Sequence, residues 1–198
     1  MKKTQEDWIE EVWMTEDYQQ SKKINFQILD EYLINKPKNI LDIGCGLAWE
    51  SRLFNEKYGC ELWLLDGDAD EGNKNKSLTS TDVNYHDSAE DLLFYNSFTR
   101  LREELDKLKT KNYNLIDCNN IQIADDLKFD LITSWVSCGF HYPISTYKDL
   151  IKKHSHDNTI VAMDVRSRKG KLYLEEGIEI IDTIQVTAKY STLILKIK

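Results

Sequence analysis

Residues 134–143 read SWVSCGFHYP, so a strand-like apolar run gives way within a few residues to Gly139, Phe140, His141, Tyr142 and Pro143. A histidine with an ordinary pKa of about 6.5 can take a proton from a hydroxyl near neutral pH, and flanking rings can wall a small acceptor. The plainer alternative is that His141 bonds a loop carbonyl and the rings are core. His86 is a second candidate base, in a polar connection over 67–87 whose length and lack of periodicity suit either a lid or a stretch without function.

The other chemical signal is NILDIGCGLAWESRLF, residues 39–54, where an apolar strand runs into Gly44, Cys45 and Gly46 and then into a helix. Glycines there let the backbone turn tightly and approach a ligand, and the helix start offers N–H groups to an anion. Asp66 closes the next apolar run, WLLD, about 20 residues further on, where an acid can accept both hydroxyls of a ribose. The dinucleotide fingerprint G-x-G-x-x-G needs a small third residue, and here that place is Trp49, which favours a cofactor without a pyrophosphate. Read alone, Asp66 is equally a solvated strand end and Asp117 a cap on the loop after it.

The elements that position these residues follow from periodicity. Trp8, Ile9, Val12 and Trp13, then Phe26, Ile28, Leu29, Tyr32 and Leu33, recur at helical spacing through the first 35 residues, and Pro37 stops that pattern. Core packing and cover for a ligand are both open to Trp8, Trp13 and Tyr18. Short apolar runs at 39–43, 61–65, 113–116, 129–135 and 159–163 alternate with helical stretches at 49–58, 89–109 and 144–154, the middle helix preceded by a Ser88 to Asp91 capping spacing. Such alternation predicts a parallel sheet covered on both faces. Two Ile-, Val- and Thr-rich runs at 177–186 and 190–197 predict an antiparallel hairpin at its edge.

The stretch around Gly44 resembles the first motif of class I S-adenosylmethionine-dependent methyltransferases, whose D-x-G-x-G-x-G reads here Asp42, Gly44, Gly46 and then Ala48 in place of the third glycine. The resemblance covers most of the chain, with Asp66 as the second-strand acid, Asp117-Cys118 after the third strand, KFDLITSW as the fourth strand, and the closing hairpin. It implies an α/β, Rossmann-like, doubly wound and mostly parallel seven-stranded sheet with an antiparallel C-terminal hairpin and helices on both faces. The expected organisation is one domain over 1–198, with 1–35 as an N-terminal helical cap.

The same resemblance implies S-adenosylmethionine as cofactor. Gly44, Cys45 and Gly46 would lie along its amino-acid end and ribose, Asp66 with Gly67 at the ribose hydroxyls, Asp117 and Cys118 near the adenine, and Trp135 at the end of the fourth strand. Asp42 would orient the turn or take the cofactor's ammonium through water. The loop beyond that strand then faces the transferable methyl, with His141 as catalytic base and Phe140 and Tyr142 against the acceptor. GFHYP and the following ISTY are also similar to stretches in sugar O-methyltransferases of bacterial and phage origin, which makes a sugar hydroxyl the expected acceptor. Methylation of RNA or protein, and a non-catalytic cofactor-binding module of the same fold, are the alternatives.

Composition narrows these classes. With 26 Lys and Arg against 34 Asp and Glu, the chain carries a formal charge of −8, which disfavours a phosphate backbone as partner despite basic clusters at 148–153 and 166–171. No apolar stretch is long enough to span a membrane and no signal peptide is evident, so the cytoplasm is the expected location. The four cysteines lie far apart, without a zinc or disulfide pattern. Asp164 ends the fifth apolar run without a set of partners for a metal, and none is expected. The oligomeric state is left open.

Overall fold

In a computed structural model the described residues are 7, 9–68, 96–168 and 171–198. His86, the 67–87 connection beyond Asp68, the Ser88 to Asp91 spacing and Trp8 lie outside them. A π-helical turn, Ile9–Trp13, leads into α1, Glu16–Tyr32, which Thr15 caps by accepting from the Tyr18 amide. Then follow β1 Asn39–Ile43, α2 Trp49–Tyr58, β2 Glu61–Asp66, α3 Phe98–Lys107 with Ser97 as cap, β3 Tyr113–Asp117 and β4 Leu131–Ser134. A 3-10 turn, Ile144–Thr146, precedes α4, Lys148–His154. β5 Ile160–Arg168, β6 Lys171–Leu172, β7 Ile178–Val186 and β8 Tyr190–Ile197 complete the order.

The sheet runs β3-β2-β1-β4-β5-β8-β7, parallel from β3 to β5 and antiparallel through β8 and β7, with the two-residue β6 paired to β5. β1 lies between β2 and β4 and is buried on both faces, which is why NILDI reads as an unbroken apolar run interrupted only by Asp42. Alternate strand residues feed two cores. Ile40, Leu62, Leu64, Leu131 and Ala162 pack with Leu29, Phe54, Leu101 and Leu105 of α1, α2 and α3, whereas Leu41, Leu65, Ile132 and Val161 pack with Tyr147 and Ile151 on the α4 side.

α1 docks on α2 through Phe26 and Phe54, whose rings meet edge-on at 4.7 Å, and through Asp30, which binds Lys57 and Tyr58. Burying the Phe54 ring stabilises this contact by roughly 2–3 kcal/mol. The fold therefore matches the expected mixed sheet, with a few differences in extent. The expected helix at 144–154 is broken at Tyr147, whose φ of −121° lies outside the helical region and whose ring meets that of Tyr142 at 6.2 Å. β5 runs on to Arg168 because β8 and β6 pair with its second half.

Candidate functional site

The turn after β1 places Gly44, Gly46 and Ala48 in the left-handed region, at φ of 70°, 53° and 53°. Alanine tolerates this at a cost of about 1–2 kcal/mol, while the glycines meet it freely. Their lack of a side chain has a second use. A Cβ at Gly44 would fall 1.8 Å from the Ser137 hydroxyl, and one at Gly46 would touch the six-membered ring of Trp13 at 3.4–3.7 Å. The turn is thus enclosed by β4's loop on one side and by the N-terminal π-helical turn on the other.

Its amides are turned inward. Those of Gly44 and Cys45 donate to the Leu65 carbonyl, that of Gly46 to Asp66 Oδ2 at 2.8 Å, and that of Ala48 to the Cys45 carbonyl. These four amides leave a phosphate few donors within the turn, and Asp66 sets a carboxylate beside it, so the turn itself suits a pyrophosphate poorly. Asp66 also accepts from the Gly67 amide through Oδ1 at 2.8 Å. Each oxygen accepts one backbone hydrogen bond and keeps lone-pair capacity for a hydroxyl. Burial lifts the Asp66 carboxyl to about 6, against the opposing pull of the Gly46 and Gly67 amides, Asn96 and Cys45.

Asp117 is Asp66's register partner on β3, and the two stand side by side at the carboxyl edge of the sheet. Its Oδ1 accepts from the Asn119 amide and side chain at 2.9 and 3.0 Å, so it caps the loop after β3. The Cys118 amide donates to the Asp66 carbonyl, and burial raises its thiol to about 12. Asp42 is buried away from the turn. It accepts from Ser51 at 2.5 Å and from Thr133 at 3.1 Å, tying β1 to α2 and β4, and burial raises it to about 7.

Beyond β4 the chain makes a tight loop. Val136 has φ of 50°, an uncommon conformation for a β-branched residue, costing on the order of 1–3 kcal/mol. The Ser137 carbonyl accepts from the Phe140 and His141 amides, the Gly139 amide donates to Tyr142, and Ser134 Oγ accepts from the Cys138 amide while donating to Ile43. The Tyr142 phenol lies 3.1 Å from Ser137 Oγ, which brings Ser137 and Tyr142 to the glycine turn. Phe140 is packed edge-on against Tyr190 at 5.6 Å and beneath the Arg166 guanidinium at 5.0 Å. His141 is partly exposed and meets the Phe140 ring edge-on at 4.8 Å.

No family model and no curated protein matches the sequence. Solved structures do match. A protein from Pyrococcus horikoshii OT3 aligns with a TM-score of 0.62 at 12% identity over 93% of each chain. A SAM dependent methyltransferase from Aquifex aeolicus aligns at 0.56 and 14% identity, over 87% of this chain and 88% of that one. A mutant of MtNAS in complex with S-adenosylmethionine aligns at 0.57 and 13% identity, over 98% and 72%. The fold is that of Rossmann-like methyltransferases. At these identities the likeness is one of architecture.

On this fold α1 adds a buried polar group. Lys22 is 4% exposed and pairs with Glu50 of α2 at 2.8 Å, with Asn25 also donating to Glu50. Its ammonium lies 4.9 Å from the Tyr18 ring and 5.8 Å from that of Trp135. Burial opposes the Lys22 charge, yet Glu50 and Tyr18 outweigh it and hold its pKa above the usual lysine value. The Trp135 indole N–H is buried without a hydrogen-bond partner. Among the described residues no group of three or more His, Cys, Asp or Glu could hold a metal ion, and no helix is long and apolar enough to cross a membrane.

Proposed function

We propose that the chain is an S-adenosylmethionine-dependent methyltransferase acting on a hydroxyl of a small molecule, a sugar by preference. The observation that carries this reading is the pairing of Asp66 with the Gly46 amide across a turn whose own amides are mostly satisfied. That arrangement suits the hydroxyls of an uncharged ribose and the cationic end of a nucleoside, and disfavours phosphate. The solved structures on the same fold include a complex with that cofactor, which supports the choice.

In this reading Gly44, Cys45 and Gly46 line the amino-acid end and ribose, Asp66 and Gly67 take the ribose hydroxyls, and Asp117 and Cys118 border the adenine. Trp135 closes the inner wall, and Asp42 acts on the turn only indirectly, by bracing β1 against α2 and β4 through Ser51 and Thr133. The cofactor supplies a methyl made electrophilic by its sulfonium, and the protein aligns the acceptor with it and excludes water. His141 takes the acceptor's hydroxyl proton on its imidazole, with the rings of Phe140 and Tyr142 stiffening the wall beside it. The net charge of −8 supports a small acceptor over a nucleic acid. Four free cysteines support a reducing compartment, and the cytoplasm is proposed as its location.

Calorimetric titration with S-adenosylmethionine and S-adenosylhomocysteine tests the reading, with Asp66→Ala as control. Micromolar binding that is lost in the variant is expected, and absence of binding to the unaltered protein would overturn it. On a panel of sugars, His141→Ala should lose most turnover while cofactor affinity stays within a few-fold; unchanged turnover would remove His141 from the role of base.

A further inference from the structure

We propose that Asp164 is a positioning residue of the site, whose carboxylate holds Val136 in the left-handed conformation and thereby sets the Ser137 hydroxyl and the loop at 139–143 against the glycine turn. The consequence for methyl transfer rests on the function proposed above; the structural coupling does not.

Residue type does not explain the Val136 conformation, although the Cys138 amide donates to Ser134 Oγ across it. Valine is among the residues least suited to positive φ, and its neighbours Trp135 and Ser137 offer no glycine to share the turn. The constraint comes from β5. Asp164 Oδ2 accepts from the Val136 amide at 3.0 Å, while Oδ1 accepts from Thr192 Oγ1 at 2.6 Å, Thr192 being its register partner on β8. With 1% exposure and both oxygens engaged, the carboxylate acts on the loop and not on an acceptor.

β5 grips the same loop a second time, because the Arg166 amide donates to the Gly139 carbonyl at 2.9 Å. Gly139 itself lies so close that a Cβ would come within 3.1 Å of the Asp164 carbonyl. Ser137 lies between these two anchors. Its hydroxyl fills the space that a side chain at Gly44 would need and meets the Tyr142 phenol, and its carbonyl receives the Phe140 and His141 amides. One backbone angle at Val136 therefore governs both the wall of the glycine turn and the direction of His141.

The test compares Asp164→Ala, Asp164→Asn and the double variant Asp164→Ala with Val136→Gly, in kcat, KM, affinity for S-adenosylmethionine and melting temperature. Asparagine keeps an acceptor for the Val136 amide, since the Thr192 hydroxyl can turn to accept from its NH2, and glycine adopts positive φ unaided. Asp164→Ala should lower kcat on the order of 100-fold, the cost of misplacing reacting groups. Asp164→Asn should recover most of that loss, and so should Val136→Gly in the alanine background.

An asparagine variant as poor as alanine would mean that the charge itself is used, and a double variant no better than Asp164→Ala would mean that the turn is not what Asp164 serves; either overturns the inference. If Asp164→Ala does not fold, recovery of folded protein by Val136→Gly supports the inference and continued failure overturns it. If the unaltered chain neither binds S-adenosylmethionine nor methylates an acceptor, the proposed function alone has failed. The inference is then decided by whether Val136→Gly restores the melting temperature lost in Asp164→Ala.

Discussion

Lys22 and Glu50 form an ion pair of 2.8 Å with both side chains almost wholly buried, joining α1 to the first turn of α2 directly after the glycine turn. Removing one partner leaves the other charge without water or counter-ion. Lys22→Met should cost about 3–5 kcal/mol in urea unfolding, and Lys22→Met with Glu50→Leu should regain most of it. A double variant as unstable as the single would show that the pair itself, and not the orphaned charge, sets the stability.

Gly44 and Gly59 share nearly the same φ, 70° and 69°, but only Gly44 has an obstacle where a side chain would go. Gly59→Ala should cost about 1–2 kcal/mol, the conformational part alone. Gly44→Ala adds overlap with Ser137 and should cost roughly 2–5 kcal/mol, part of it returned by Ser137→Gly. Equal costs at the two glycines, measured by urea unfolding, would show that the contact with Ser137 is unimportant.

Three buried carboxyls should give the stability an acid-side maximum. Burial raises Asp42 to about 7 and Asp66 and Asp164 to about 6, from a usual 3.8. Each folded-state pKa exceeds the unfolded one, so the folded protein binds more protons between these values. The stability they contribute is fully present below about pH 3.8 and is lost as pH rises through 6 to 7. Asp30, Asp125, Asp130 and Glu179 act in the opposite sense, but at sites more open to solvent screening. The melting temperature should be higher at pH 5 than at pH 7.5, and a rise over that interval would contradict the assignment.

The cysteines should react slowly. Burial pushes Cys60 and Cys118 up to about 12 and raises Cys45 and Cys138 as well. The thiolate is the reactive form, so native protein at pH 8 should take up iodoacetamide far more slowly than the urea-unfolded chain. Fast labelling of Cys118, the most exposed of the four, would mean that the edge beyond β3 opens in solution.

Much of this architecture was legible because it is written in local periodicity. β1 and α2 occupy the residues that alternation and helical spacing indicated, bracketed by Pro37, the glycine turn and Gly59. Asp66 could be found because a strand end about 20 residues past a glycine turn is a place defined by chain order. Lys22 could not. It stands at helical spacing from Tyr18, Phe26 and Leu29, but its charge marks it as exposed until α2 brings Glu50 to it. Val136 was equally hidden, since its left-handed backbone is imposed by a carboxylate on another strand, and β5's second half, rich in polar residues, becomes strand through its pairing with β8 and β6. Asp117 was readable only as two alternatives, and its Oδ1 accepts from the Asn119 amide.

The place of β8 between β5 and β7 also bears on how the chain is made. A ribosome delivers β5 and β7 before the strand that joins them, so the nascent chain emerges with β5's edge bare and β7 without its neighbour. Until β8 is released, both present open backbone to other chains. The inner sheet around the glycine turn can assemble during synthesis, whereas Asp164 acquires its Thr192 anchor only afterwards.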